Sequence, residues 1–190
     1  MAESQPFQQQ WIMWKMLPND DEAVAQIQDP DLKWNSRLSS KGSVTSMAHL
    51  WSMYNDAYSL ENTSRVVPKA DLYLFKDGIK PDGNAPNMNG GRFRIALLRK
   101  HETRFHEMLN ELLNVIATNN FDPNLENYIC GIMAAIGYQP NDNVSIYIWV
   151  KEHDSATYLA LKEKLKSILN ITEDIRVIEL APNVNNVQAS

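Results

Sequence analysis

The sequence predicts an α+β fold in which helices stack on one face of a single curved antiparallel β-sheet and the other face is left for a ligand. Three segments carry apolar residues at helical steps. The segments between them alternate in polarity, as half-exposed antiparallel strands do. A chain of 190 residues with 44% hydrophobic content can bury one sizeable core. We therefore expect one domain over residues 1–190, with residues 1–8 and 181–190 flexible.

Three segments are predicted to form the helices: TSMAHLWSMYNDAYSL, RFHEMLNELLNVIATNN and DSATYLALKEKLKSILN. Their apolar stripes comprise Met47, Leu50, Trp51, Tyr54 and Tyr58; Phe105, Met108, Leu109, Leu112, Leu113 and Ile116; and Tyr158, Leu161, Leu165, Ile168 and Leu169. Ser43 or Thr45 is available as the N-cap of the first helix, and Asp154 as that of the third. Each predicted helix therefore has one face to bury.

Two predicted strands separate an aliphatic face from an aromatic or basic one. In NVSIYIWV, the aliphatic residues alternate with Ser145, Tyr147 and Trp149. In GRFRIALL, the apolar residues Phe93, Ile95 and Leu97 alternate with Arg92, Arg94 and Ala96. The other predicted strands are QQWIMWKM, KWNSRL, DLYLFK, YICGIMAAI and DIRVIEL. The aliphatic faces belong on the core, so the aromatic and basic faces are expected to be partly open.

Composition and motifs favour a binding protein without cofactor, metal or catalytic residues. The net charge of −5 argues against a protein that holds nucleic acid mainly by neutralising phosphates, so any such contact must be local. The single cysteine, Cys130, excludes a disulfide framework, and a reducing compartment is the simplest interpretation. The sequence contains no nucleophile elbow, phosphate-binding glycine loop or signal pattern. No apolar run reaches the roughly 18 residues that span a membrane.

An ordered series of short motifs runs along most of the chain, roughly from Pro6 to Leu180. The motifs are WIMW, LKWNSRL, HLWSMYN, LFKDGIKP, NMNGGRF, ICG and IYIW. In this order and spacing they resemble the translation initiation factor 4E family, which binds the 7-methylguanosine cap of messenger RNA. The resemblance implies a cupped antiparallel sheet backed by three helices on its convex face. It also implies a cytoplasmic, non-catalytic protein that brings capped mRNA to the translation initiation complex.

The resemblance assigns part of a cap-binding site. Family members clamp the methylated guanine between two tryptophans, because N7-methylation makes the purine positive and stacking gains a cation–π component. Trp34 matches the first stacking tryptophan, and Trp149 matches the tryptophan that contacts the methyl group. Arg92 matches an arginine on the phosphate side. A family glutamate also accepts hydrogen bonds from the base.

Two loops depart from the family pattern. The family carries a tryptophan and then the base-reading glutamate shortly before GG, whereas PDGNAPNMNGG contains neither. The segment GYQPNDNVS likewise lacks the basic phosphate contacts expected before IYIW. The candidate substitutes are Asp82 for the glutamate, Tyr147 or Met88 for the second stacking surface, and Arg92 with Arg94 for the phosphates.

Three explanations remain open at this point. The cap is bound through these substitutes. Alternatively, cap binding is weak or altered, for instance toward a cap with extra methyl groups on the adjoining nucleotides. In the third explanation cap binding is lost, and the fold acts as an interaction module or translational regulator that occupies a scaffold partner.

The resemblance also implies a partner site on the convex helical face, for a helix of the scaffold factor 4G or of a repressor that mimics it. The matching residues are Pro6, Met47, Trp51, Leu109, Asn110 and Leu113. Met47 with Trp51, and Leu109 with Leu113, form two apolar ridges suited to helix-in-groove binding. Asn110 stands where the family has a glutamate that pairs with an arginine of the partner, which removes one side of that ion pair.

Overall fold

A computed structural model of the chain describes residues 6–16, 22–59, 71–81, 90–118, 120–136, 143–151, 154–171 and 176–179. Asp82 and Met88, two of the predicted substitutes in the cap site, lie outside these residues. Residues 137–142 of the GYQPNDNVS segment and residues 181–190 also lie outside them. Of the segment 1–8, residues 6–8 belong to the first strand.

The described residues form one seven-stranded sheet and six α-helices. The strands are β1 (Pro6–Met16), β2 (Leu38–Ser46), β3 (Leu72–Lys76), β4 (Gly91–Leu98), β5 (Ile129–Ile136), β6 (Asn143–Val150) and β7 (Arg176–Glu179). The helices are α1 (Glu22–Ala25), α2 (Pro30–Arg37), α3 (Met47–Ser59), α4 (Glu102–Ala117), α5 (Pro123–Glu126) and α6 (Ser155–Leu169). The strand order is β2-β1-β3-β5-β6-β4-β7, and neighbouring strands are antiparallel.

The main core lies between one side of the sheet and the helices α3, α4 and α6. We call this side of the sheet the helical face and the opposite side the open face. The alternation predicted for β4 and β6 is confirmed: Phe93 and Ile95, with the four aliphatic residues of β6, lie in the main core. The predicted α+β class, one antiparallel sheet backed by three long helices, is also confirmed.

The two predicted helix caps have different outcomes. Asp154 caps α6, since its Oδ1 accepts a hydrogen bond from the Thr157 backbone N–H at 2.7 Å. At α3 the prediction of Ser43 or Thr45 is wrong, because the helix begins at Met47 and the residue directly before it is Ser46. The capping oxygen there is Ser46 Oγ, which accepts from the His49 backbone N–H at 3.2 Å.

The strand predicted over KWNSRL is wrong, because these residues lie mostly in α2. The local cause is the pair Asp29–Pro30. Asp29 Oδ1 accepts a hydrogen bond from the Leu32 backbone N–H at 3.1 Å, and the Asp29 carbonyl accepts from Lys33 N–H at 2.8 Å. Proline suits the first helical position because its missing N–H would have no partner there. The strand of this region is instead β2, which the sequence analysis did not predict.

Two hydrogen bonds to Glu126, the last residue of α5, connect this helix to β1 and β3. Gln9 Nε2 donates to Glu126 Oε1 at 2.6 Å, and Lys76 Nζ donates to the Glu126 backbone carbonyl at 2.9 Å. Glu126 is buried. Burial raises the pKa of its carboxyl group, and the attraction of Lys76 only partly opposes that shift. Burial likewise lowers the pKa of Lys76.

Leu113→Ala tests the main core. Leu113 on α4 is 0% exposed, so the substitution leaves a cavity and should lower the free energy of unfolding by about 2–5 kcal/mol. Asn110→Ala, at an exposed position of the same helix, should change it by less than about 0.5 kcal/mol. Urea unfolding of both variants measures the difference, and similar small effects would contradict the placement of Leu113.

Glu126→Gln tests the buried carboxyl group. The folded protein holds the Glu126 proton more tightly than the unfolded chain does, so this group's contribution to stability is lost as pH rises through its folded-state pKa. The stability of the variant relative to the wild type should therefore increase between about pH 4 and pH 7. Thermal unfolding across this range measures it. Glu111→Gln, at an exposed position of α4, controls for the loss of one negative charge.

Candidate functional site

The open face brings together the side chains that alternate with the core residues of five neighbouring strands. Its residues are Trp14, Met16, Tyr73, Phe75, Cys130, Met133, Arg92, Arg94, Ser145, Tyr147 and Trp149. Successive side chains of a strand point to opposite sides of the sheet. Each strand that buries aliphatic residues on the helical face therefore places its alternate residues here.

The open face has a closed part and an accessible part. In the closed part, Met16, Tyr73, Phe75, Cys130 and Trp149 are buried in a second apolar cluster. In the accessible part, Arg92, Arg94, Met133 and Tyr147 are half-buried. The accessible part lies on β5, β6 and β4, where a ligand can reach the sheet.

Trp149 is more enclosed than the sequence predicted. Its side chain is 4% exposed, and its ring meets Phe75 edge to face at a centroid distance of 5.5 Å. The guanidinium carbon Cζ of Arg92 lies 5.5 Å from the Trp149 ring centroid. Among the described residues, the buried Nε1 of Trp149 has no hydrogen-bond acceptor. Partial exposure is therefore confirmed for Tyr147 but not for Trp149.

Gly131 allows this enclosure. A Cβ at position 131 would lie 2.5 Å from atoms of the Phe75 ring, so no larger residue fits without displacing that ring. Gly131 pairs with both Phe75 on β3 and Trp149 on β6. From the sequence, ICG was recognised only as a family motif, and Phe75 was not predicted to be part of the site. The alternation of DLYLFK could have shown it, since Leu72 and Leu74 face the core.

Arg92, Arg94 and Tyr147 form the most polar part of the open face. Arg94 pairs with Tyr147 across β4 and β6, and Arg92 pairs with Trp149. The Cζ atoms of Arg92 and Arg94 lie 5.2 Å and 5.8 Å from the Tyr147 ring centroid. Arg94 Nε donates to Ser145 Oγ at 3.3 Å. The sequence analysis placed Ser145 on this face but gave it no role.

No acid among the described side chains neutralises the positive charge of the two guanidinium groups. Within the part of the chain that the structure describes, neither forms an ion pair, and the buried Nε of Arg92 has no acceptor. Guanidinium groups bind the oxygens of phosphates and carboxylates through charge-assisted hydrogen bonds. This part of the open face can therefore hold an anion.

The backbone of Trp34 lies in α2, and its side chain lies outside the part of the chain that the structure describes. The position of Asp82 is not described either. The stacking role of Trp34 and the base-reading role of Asp82 therefore stay predictions. Of the six predicted cap-site residues, the structure brings together Arg92, Arg94, Tyr147 and Trp149.

The predicted partner residues fall into a half-exposed group and a buried pair. Pro6 pairs with Ser46, which directly precedes Met47 and α3. Met47 and Trp51 are partly buried against the main core, and Asn110 is exposed. Leu109 and Leu113 are core residues, 3% and 0% exposed, so the apolar ridge predicted for them is not a surface feature. The Trp51 ring meets Tyr54 edge to face at 5.7 Å.

Two other chemistries find little support among the described residues. They contain no group of three or more His, Cys, Asp or Glu side chains that could hold a metal ion. Burial raises the pKa of the Cys130 thiol to about 11, and a protonated thiol is a poor nucleophile.

None of the described helices has the length and apolar character that crossing a membrane requires.

The chain is similar to known translation factors over almost its full length. The family model described as Eukaryotic initiation factor 4E matches residues 6–188. The chain is 24% identical to eukaryotic translation initiation factor 4E of Candida albicans, over 97% of this chain and 83% of that protein. It is 25% identical to eukaryotic translation initiation factor isoform 4E-2 of Triticum aestivum, over 87% of this chain and 72% of that protein.

Two solved structures of related proteins have a similar fold. The C. elegans eIF4E-3 in complex with the 4E-binding protein Mextli and a cap analog matches with a TM-score of 0.69 at 25% identity, over 93% of each chain. Ascaris suum eIF4E-3 in complex with the m7G cap has the same fold, with a TM-score of 0.70 at 24% identity over 96% of this chain and 94% of that chain. Because the family model spans most of the sequence, the chain belongs to the eukaryotic initiation factor 4E family.

Proposed function

We propose that the protein binds the 7-methylguanosine cap of mRNA on its open face and brings it to a translation initiation complex through a partner on its helical side. The partner is a scaffold protein of the 4G type or a 4E-binding repressor. The protein acts by binding, without catalysis, in the cytoplasm. The observation that carries the proposal is the pair of guanidinium groups of Arg92 and Arg94, which lie on an aromatic strand surface and have no ion-pair partner among the described residues.

The charge distribution supports a phosphate site at Arg92 and Arg94. A chain with a net charge of −5 does not attract RNA over its whole surface, so two adjacent cations without acid partners in the part of the chain that the structure describes are a local feature. A cap carries a triphosphate bridge whose oxygens accept charge-assisted hydrogen bonds from guanidinium N–H groups. Arg94 is also proposed to take the place of the basic residues that GYQPNDNVS lacks. Its Nε donates a hydrogen bond to the Oγ of Ser145, the last residue of that segment.

The base is proposed to bind beside the phosphate site. Trp149 lies next to Arg92, and its buried Nε1 has no hydrogen-bond acceptor among the described residues. Trp34 is proposed as the stacking tryptophan and Asp82 as the acidic reader of the base edge. Stacking of a positively charged base on an indole contributes about 0.5–2 kcal/mol.

The partner site is proposed on the helical side, at Trp51 and Met47 of α3, with Pro6 close to the start of that helix. The resemblance to a structure that contains a 4E-binding protein supports it. Trp51 and Met47 pack against the main core, and part of each side chain is still exposed. Half-buried aromatic side chains that project from a rigid helix are typical anchors for a bound partner.

One observation favours a second function, that of a regulator which occupies a partner with weak, altered or lost cap binding. The Arg92 guanidinium lies over the Trp149 ring, and Trp149 is almost wholly buried. A methylated base that contacts Trp149 must therefore displace Arg92 or approach the edge of the indole. Cap titration separates the two functions.

Arginine substitutions test the phosphate site. The wild type should show saturable quenching of tryptophan fluorescence with 7-methyl-GTP and weaker quenching with GTP. Arg92→Gln and Arg94→Gln should each weaken 7-methyl-GTP binding by about 10- to 100-fold, because each removes a charge-assisted contact. Each should also reduce the dependence of affinity on salt concentration.

Arg104→Gln is the matched control for these variants. Arg104 lies on α4, where its guanidinium bonds Glu107 and the Leu169 carbonyl, away from the open face. It should leave affinity for 7-methyl-GTP unchanged. Equal binding of GTP and 7-methyl-GTP, or no binding of either by the wild type, would contradict cap recognition and favour the regulator.

Trp51→Ala tests the partner site. It should weaken binding of a fluorescent helical peptide of the 4G type by about 30-fold or more, because a buried tryptophan anchor contributes at least about 2 kcal/mol. Fluorescence polarisation measures the affinity. Leu159→Ala is the control, since Leu159 is a 59% exposed apolar residue on α6. Unchanged peptide binding by Trp51→Ala would remove Trp51 from the proposed site.

A further inference from the structure

Tyr147 lies beside two cations on the open face. The Cζ atoms of Arg92 and Arg94 are 5.2 Å and 5.8 Å from its ring centroid, within the range of cation–π attraction. The strand register explains the arrangement. Arg94 is directly opposite Tyr147, and Arg92 is two residues away on the same strand and therefore diagonal to the ring.

The ring attracts both guanidinium groups without neutralising either. Side chains two residues apart on a strand are about 7 Å apart at their Cα atoms, so two arginines there repel each other. A carboxylate between them would remove the repulsion but would also compete with an anionic ligand. A tyrosine ring holds the cations through its quadrupole and leaves their charge and N–H groups available.

Ser145 completes the arrangement on one side. Its Oγ accepts a hydrogen bond from Arg94 Nε at 3.3 Å, which leaves the terminal nitrogens of Arg94 for a ligand. Ser145 and Tyr147 are alternate residues of β6, so one strand positions Arg94 through two contacts. Arg92 is held over the rings of both Tyr147 and Trp149.

We infer that Tyr147 is a positioning residue that orders Arg92 and Arg94 into a clamp for at least two consecutive phosphates, and that it is not the second stacking surface for the base. The inference rests on the proposed function and names the part of the ligand that Tyr147 serves. Two guanidinium groups on one ring suit a polyphosphate chain, which offers a phosphate group to each. A base that stacked on the part of the Tyr147 ring that faces the guanidinium groups would have to displace them.

The test compares Tyr147→Leu with Tyr147→Phe by isothermal titration calorimetry. The ligands are 7-methyl-GTP, 7-methyl-GMP, 7-methylguanosine and inorganic tripolyphosphate. Tyr147→Leu keeps apolar bulk but removes the ring, so it should weaken 7-methyl-GTP and tripolyphosphate by roughly five- to tenfold. It should weaken 7-methyl-GMP less and leave 7-methylguanosine unchanged. Tyr147→Phe keeps the ring and should bind every ligand as the wild type does.

The outcomes separate the clamp from cap recognition. An equal loss of affinity for all methylated ligands, the nucleoside included, would identify Tyr147 as a stacking surface and overturn the inference. The inference would also be overturned if the wild type bound 7-methyl-GMP at least as tightly as it binds both tripolyphosphate and 7-methyl-GTP. Tyr147-dependent binding of tripolyphosphate without preference for methylated guanine would support the clamp and contradict the proposed function. Matching thermal unfolding midpoints establish that both variants are folded.

Discussion

The register of β4 against β6 determines what both faces of the protein can do. The pairing Phe93–Ile148 and Ile95–Ile146 places four apolar side chains in the main core. The same register places Arg92 beside Trp149 and Arg94 beside Tyr147 on the opposite face. Because side chains alternate, a slip of one residue would turn both arginines toward the helices. Two unpaired charges in that core would cost far more than the fold can tolerate.

This register places the two proposed binding sites on opposite sides of one sheet. The main core supports Trp51 and Met47 from below on the helical side, and the aromatic cluster of the open face supports Trp149. Both sites therefore rest on buried side chains of the same sheet. The loop between β3 and β4, where the family motifs are lost, connects two strands whose apolar residues lie in the main core and in the aromatic cluster. The fold can accordingly keep its architecture while the residues that read the base change.

The sequence was sufficient where local periodicity determines structure. The alternation in β4 and β6, the stripes of α3, α4 and α6 and the Asp154 cap all depend on neighbours within a few residues. At α2 the Asp29–Pro30 start signal determines a helix where a strand was predicted. β2 was missed because LSSKGSVTS has few apolar residues, and its place in the sheet comes from pairing with β1.

The finer features of the site depend on contacts between strands that are distant in sequence. Gly131 makes room for the Phe75 ring, which meets Trp149 and helps to bury it. The position of Arg92 over two rings likewise follows from the register of β4 and β6. A single sequence identifies these residue types but not their register. The roles of Trp34 and Asp82 rest on the family resemblance alone.

The most direct measurement is a crystal structure of the protein with 7-methyl-GTP. Our account predicts that the nucleotide lies on the open face, with phosphate oxygens within hydrogen-bond distance of the Arg92 and Arg94 guanidinium groups. The methylated base should lie beside Trp149, with the Tyr147 ring still packed against both arginines. A nucleotide bound elsewhere, or one whose phosphates contact neither arginine, would contradict the account.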